Sequence, residues 1–284
     1  MNKLKKRTQN VLMAILMMMV VPIGLTLLLN GKMNEIYQNI KNDITYITIR
    51  HGAEVKDIDL EEYVMGITAV QIPLEYDLEA IKAQMVIART NAYREMQDGK
   101  IEGEGMSLVE LELRGAGDKF RKAQKATRGL ILTQEGEPIL ASFHAVSSGK
   151  TRDGQETFQS EKYAYLKSRN CPADKNAPDY KMTVQIDDSW KDLTILERDS
   201  AGYVRRVQKD NETMSGEEFR LTLGLMSSNF RMETNGSGTF VTTYGVGHGL
   251  GMSQYTAQQM ASSGKNYKEI LAYFYEGVEV SKID

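Results

Sequence analysis

The stretch Tyr244–Gly264, YGVGHGLGMSQYTAQQMASSG, decides how the rest of this chain is read. Glycine stands at every second position: Gly245, Gly247, Gly249 and Gly251. A backbone without Cβ atoms turns sharply and lets another segment approach it closely. The same stretch carries an imidazole (His248), a hydroxyl (Ser253), an amide (Gln254) and a phenol (Tyr255). Thr256 to Ser263 has helical character, and Gly264 is a suitable stop. The segment therefore reads as a glycine-rich loop delivering polar groups to a helix N-terminus. Its spacing is not G-x-G-x-x-G opening a helix after a strand, so it is no dinucleotide fingerprint. A tight turn around a satisfied histidine is the plainer alternative for the same residues.

Outward from that loop, helices and strands are mixed without regular βαβ alternation, which predicts an α+β fold. Residues 43–50 alternate as a first strand. Leu60 to Val70 reads as a short helix, with Asp59 and Glu62 in capping-box spacing and Pro73 closing it. A longer helix follows Asp77, because Leu78, Ile81, Met85, Ala88, Ala92 and Met96 recur at helical spacing and form a core stripe. Gly99 to Gly117 reads as a loop. Leu130–Thr133 and Ile139–Ala145 read as two strands of a hairpin joined through Glu135–Pro138. Ser160 to Tyr180 is irregular. Strands are expected at Lys181–Ile186, Tyr203–Val207, Asn229–Glu233 and Thr239–Thr243. Ser215 with Glu218 caps a helix at Glu217–Leu225, and Asn266–Tyr275 and Val278–Ile283 are the last helix and strand.

Composition narrows the function classes. Val11 to Leu29 is a 19-residue run without charge, close to the roughly 20 residues that cross a bilayer core. Lys3, Lys5, Lys6 and Arg7 precede it, so residues 1–10 are expected to be a cytoplasmic tail and the bulk of the chain to lie outside. A cleaved signal peptide is the rival, but Leu27-Leu28-Leu29-Asn30-Gly31 offers no A-x-A-like cut. The expected layout is tail 1–10, anchor 11–29, linker 30–42 and a single domain 43–284. Taking those four basic residues from the chain's 35 leaves 31 against 38 acidic ones. An acidic exterior has no electrostatic reason to bind nucleic acid. The single cysteine, Cys171, excludes an internal disulfide.

Three segments stand together: EEYVMGITAVQIPLEYDLEAIKAQMVIARTNAYR (Glu61–Arg94), FHAVSSGKT (Phe143–Thr151) and the glycine loop with its helix. Together they resemble the stage II sporulation protein D family, membrane-anchored lytic transglycosylases that act on peptidoglycan during engulfment. The resemblance runs from about Val55 to the C-terminus. It implies cleavage between N-acetylmuramic acid and N-acetylglucosamine on denuded glycan strands, without water and with formation of a 1,6-anhydro ring. It also implies an amidase and a multi-pass membrane protein as partners. Most glycosidases need two carboxylates. A lytic transglycosylase manages with one glutamate, which first protonates the leaving oxygen and then helps deprotonate the sugar's own hydroxyl.

That glutamate lies in the family just before the M-P or I-P that ends the first helix. Here the position is Gln71, in Ala69-Val70-Gln71-Ile72-Pro73. An amide can hydrogen-bond a sugar but cannot shuttle a proton. The chain is therefore either an enzyme using another acid, for which Glu75 is the candidate, or a noncatalytic glycan-binding scaffold. Glu79 reads as a solvated helix-start charge, and Arg89 as a brace paired with backbone or a carboxylate. His144, Ser147, Ser148, His248, Ser253, Gln254 and Tyr255 are the expected substrate contacts, each with a structural alternative as a loop brace. Serines beside two histidines suggest a hydrolase, but no G-x-S-x-G elbow is present. Zinc needs three or four His, Cys or carboxylate ligands. Around His144 the later positions are Lys150, Thr151 and Arg152, so no metal and no cofactor is expected.

Overall fold

A computed structural model of the chain describes residues 45–51, 54–97 and 105–283. The expected tail, anchor and linker lie outside the described residues. Among the described residues no helix is long and apolar enough to cross a membrane. The described residues from Ile47 onward form one compact unit.

The unit begins with two paired strands, β1 (Tyr46–His51) and β2 (Glu54–Asp59). β2 runs straight into α1 (Leu60–Gln71), with Asp59 as N-cap. The Asp59 carboxylate accepts from Glu61 N–H at 2.6 Å, so the cap forms without the reciprocal bond from Glu62 that its spacing suggested. Ile72 leaves the helix in an extended conformation, as a residue before proline does. α2 (Leu78–Gln97) is the central helix. Its predicted stripe packs against α1 and α4 (Gly117–Thr127), where Leu60, Val64, Ile81, Met85 and Phe120 make one buried cluster. The opposite face of α2 is buried too, through Ala83, Val86 and Ile87. Between α2 and α4 lies α3 (Leu108–Leu113), a short helix inside the stretch expected to be a loop. Ser107 caps it through Glu110 N–H, a local signal that the glycine content of the segment outweighed.

β3 (Leu130–Gln134) and β4 (Glu137–Pro138) form the expected hairpin, turning at Glu135 and Gly136, both at positive φ. The second strand lies inside the stretch expected as the turn, and residues 139–142 of the predicted strand are in no strand. The ladder carries one more bond past Pro138, from Ile139 N–H to Leu132 O at 3.1 Å, and the chain then departs to make β5 (Phe143–His144) elsewhere. A short helix, α5 (Gly154–Phe158), follows.

The next part is a β-rich lobe. β6 (Lys181–Ile186), β10 (Phe230–Asn235) and β11 (Gly238–Tyr244) form one antiparallel sheet with β11 in the middle. β7 (Thr194–Arg198), β8 (Val204–Lys209) and β9 (Glu212–Ser215) form another. Val204, Val207, Phe219, Phe230 and Val241 fill the space they share with α6 (Gly216–Thr222). The Ser215–Glu218 capping box opens α6 as its spacing predicted. β12 (Met252–Ser253), α7 (Gln254–Ser262), α8 (Tyr267–Phe274) and β13 (Glu279–Lys282) then return to α2 and β3. Met252, Ala257, Ile270 and Phe274 close the cluster on the second face of α2. Helices and short, mostly antiparallel sheets are thus mixed without βαβ alternation, consistent with an α+β fold.

Candidate functional site

The glycine loop docks edge-on against the segment Ser142–Ser148. Val146 and Val246 exchange both backbone hydrogen bonds, at 3.1 and 2.7 Å. β12 pairs with β5 in parallel, Met252 opposite Phe143 and Ser253 opposite His144. All four loop glycines have positive φ. At Gly251 (φ +67°) an added Cβ would lie 1.8 Å from the Ser142 carbonyl oxygen, so conformation and contact both demand glycine. The alternation that stands out in the sequence is the footprint of this close approach.

The docking assembles two polar groupings. The first is built of amides. Gln71 ends α1, and its Oε1 accepts from Gln84 Nε2 at 3.0 Å. Gln254, the first residue of α7, donates through Nε2 to the Gln71 backbone carbonyl at 2.7 Å and to Gln84 Oε1 at 3.1 Å. Gln84 and Gln254 are buried, and Gln71 is half-buried. Helix α1, the central helix and the glycine loop therefore meet at residue 71.

The second grouping surrounds Asp174. Its buried carboxylate accepts from Ser147 N–H, from Ser253 Oγ and from Thr256 Oγ1, at 2.7, 2.7 and 2.6 Å. Ser253 Oγ in turn accepts from Thr256 N–H, capping α7. Ser147 and Ser253 were expected among the substrate contacts. Both are fully buried, and both are tied to Asp174, so their role in the geometry is to clamp the two loops together. Ser148 is half-buried, with its N–H on the Tyr203 hydroxyl. Tyr255 is half-buried, and its hydroxyl reaches Asn176 O at 3.5 Å. Burial pushes the Tyr76 hydroxyl up to about 12, helped by the charges of Glu75, Tyr255 and Asp174. Glu75 itself is exposed on the loop after Pro73.

His144 and His248 sit side by side, with ring centroids 5.9 Å apart. His144 Nδ1 donates to Leu250 O at 2.9 Å, and its Nε2 is buried with no partner among the described residues. Burial, reinforced by His248, pulls the His144 pKa down to about 3, against the small opposing pull of the Leu250 carbonyl. His248 Nδ1 accepts from Leu250 N–H at 3.1 Å. Burial lowers its pKa as well; Glu217 opposes this, while Arg152 and Arg220 add to it. Both rings are neutral at pH 7. Among the described residues no group of three His, Cys, Asp or Glu is placed to hold a metal ion. Cys171 is a buried free thiol, raised to about 12 first by burial and then by Asp174, and so is inert as a nucleophile.

This histidine pair gives an expected pH response. An unfolded histidine takes up its proton near pH 6.5, whereas folded His144 resists down to about 3. As pH falls the unfolded chain binds protons first. Stability is therefore undiminished above pH 6.5 and declines between there and pH 3. At pH 5 the loss from His144 alone is about 2 kcal/mol, read as a lower urea midpoint than at pH 7.5. His144→Gln flattens that slope; equal slopes in the two proteins would rule out His144 as its source.

Other residues brace the site. Arg152 N–H donates to Gly249 O, and its guanidinium pairs with buried Asp199 at 2.6 Å. It also reaches His248 O at 3.4 Å and lies over the Tyr203 ring. Arg89 pairs with Glu61 through two bonds, at 2.8 and 2.7 Å, and donates to Leu130 O, the brace its position suggested. Glu79 accepts from Tyr267 N–H and pairs with Lys82, joining α2 to α8. Sequence reasoning missed Gln84, Asp174, Tyr76 and Arg152. Gln84 had a signal: it lies three residues after Ile81 and four before Ala88, a polar residue on an apolar stripe. Asp174 had none, because its segment carries no periodicity.

A family model described as Stage II sporulation protein matches residues 50–134. The chain is 35% identical over 263 residues to Stage II sporulation protein D of Bacillus subtilis (strain 168), covering 81% of this chain and 76% of that protein. It is 34% identical over 272 residues to Stage II sporulation protein D of Bacillus amyloliquefaciens, covering 84% and 78%. The Amidase enhancer of Bacillus subtilis (strain 168) is 24% identical over 285 residues, covering 76% of this chain and 40% of that protein.

Proposed function

The chain belongs to the stage II sporulation protein D family, and on that basis we propose that it is a membrane-anchored peptidoglycan-processing protein of sporulation. In this reading the domain works outside the membrane, at the engulfing septum. Its ligand is a denuded glycan strand, and its chemistry is of the lytic transglycosylase type with weak turnover. One observation carries the reading: Gln71, at the family's acid/base position, is held by Gln84 and Gln254 at the meeting point of the central helix and the glycine loop. A carboxyl group differs from this amide by one atom type and needs the same space. The resemblance implies an amidase and a multi-pass membrane protein as partners, and the likeness to an amidase enhancer supports the first. Protease added to intact protoplasts is expected to digest the domain; full protection would remove the anchor orientation.

A second reading is a glycan-binding scaffold without turnover. Its support is the fate of the nearby carboxylates. Asp174, tied to Ser253 beside Gln254, is buried and spent on structural hydrogen bonds, and Glu75 stands exposed. Mass spectrometry of peptide-free glycan strands incubated with the protein separates the two readings. Slow release of anhydro-muramyl ends supports an enzyme. Binding without any such ends supports the scaffold. Tyr255→Ala and His248→Ala are expected to weaken strand binding while the fold persists. Binding unchanged in both variants would place the glycan elsewhere.

A further inference from the structure

We infer that Gln84 and Gln254 are positioning residues that set the polarity of the side chain at 71, so that Gln71 presents its N–H₂ end, a hydrogen-bond donor, to the ligand. Glutamine oxygen and nitrogen are interchangeable in shape, and their assignment follows from partners. Here the chain of partners starts at an atom that can only accept. The Gln71 backbone carbonyl takes a hydrogen bond from the Gln254 side chain at 2.7 Å, so that side-chain atom is the nitrogen. The same nitrogen lies 3.1 Å from Gln84, so the Gln84 atom facing it is the oxygen. The other end of Gln84 is then its nitrogen, which lies 3.0 Å from Gln71. The Gln71 atom facing it must be Oε1. That leaves Gln71 Nε2, which has no partner among the described residues and is not among the buried polar atoms left unpaired.

Burial fixes the relay. Gln84 is fully buried and Gln254 nearly so, and a flipped amide there would set N–H against N–H in a dry site, which costs a hydrogen bond and adds repulsion. Gln254 is fixed in turn by α7, whose start is capped by Ser253 and anchored to Asp174. The direction of one amide at the site is therefore inherited from the docking of the glycine loop. The consequence rests on the reading of the function given above. A sugar oxygen, glycosidic or acetamido, can accept from Gln71 Nε2 but receives no proton from it. With a glutamate side chain at this position, the same Gln84 donor would hold one carboxylate oxygen and leave the other toward the ligand.

The relay is tested first in the full-length native protein, by hydrogen exchange of the ¹⁵N-labelled glutamine side-chain amides. The Gln84 and Gln254 N–H₂ groups are expected to exchange at least about tenfold more slowly than that of Gln71, since theirs are engaged and buried. A Gln71 N–H₂ group as protected as the other two would overturn the polarity. The second test is titration of the carboxyl group introduced by Gln71→Glu, followed by ¹³C NMR, with and without Gln84→Met. A donor to the charged form lowers a carboxyl pKa, so its removal is expected to raise the pKa of the introduced group by about one pH unit. No rise would show that Gln84 does not hold position 71. Both measurements are free of turnover. A protein that passes them and never yields anhydro-muramyl ends refutes the proposed reaction and leaves the relay standing.

Discussion

Gln71→Glu is expected to raise the release of anhydro-muramyl products from peptide-free glycan strands by at least about 10²-fold, the lower range of general acid–base assistance. The site is shaped for it. Gln84 Nε2 already donates to the oxygen of residue 71, and a carboxylate oxygen accepts the same bond. Gln254 Nε2 bonds the backbone carbonyl of residue 71, so substitution of the side chain leaves that anchor in place. The heavy-atom count does not change, and isosteric exchanges are the best tolerated. Wild type is expected to show weak turnover or none. Strong wild-type release that survives Gln71→Ala would mean that another group carries the proton. Glu75, exposed on the loop after Pro73, would then be the candidate. In that case the family would stand and the active-site assignment would fall.

Glu61→Ala is expected to destabilise the domain by about 3–5 kcal/mol, the cost of leaving a buried charge unpaired. Arg89 is completely buried, and its Nε and Nη2 both end on the Glu61 carboxylate. Glu61 Oε1 also accepts from Gly129 N–H at 3.0 Å, so the alanine loses a tie to the chain entering β3 as well. The readout is the urea midpoint at constant m-value. Replacing both partners, Glu61→Leu with Arg89→Met, should recover much of the loss, because the uncompensated charge goes with the carboxylate. A single variant that loses less than about 1 kcal/mol would show that water or a rearranged carboxylate reaches Arg89.

Local chemistry made part of this fold legible. The stripe from Leu78 to Met96 did so because a helix repeats its face every 3.6 residues whatever it packs against. The Ser215–Glu218 box did so because a capping box involves only residues three apart. The glycine alternation marked a close approach, since a run of residues without Cβ atoms has few other uses. Where two local signals competed, the reading failed. Glycines at Gly99–Gly117 concealed the Ser107-capped helix α3, and an apolar run at Ile139–Ala145 read as one strand although the chain leaves β3 after Ile139 and only Phe143–His144 of the run pairs again, with β12.

By itself the sequence determined the α+β class, the central helix, the glycine loop and the amide at position 71, since each is a matter of residue type or spacing along the chain. Only the tertiary structure decided which of the polar residues of those segments face one another. Close to the histidines in sequence, Ser253 turns its hydroxyl inward to Asp174, and Ser147 gives Asp174 its backbone N–H. Gln84, unremarked on its helix, lies between Gln71 and Gln254, 13 and 170 residues away. No periodicity encodes such contacts. They exist because burying Gln84 and Asp174 requires each polar atom to find a partner, and those partners arrive only when the glycine loop docks.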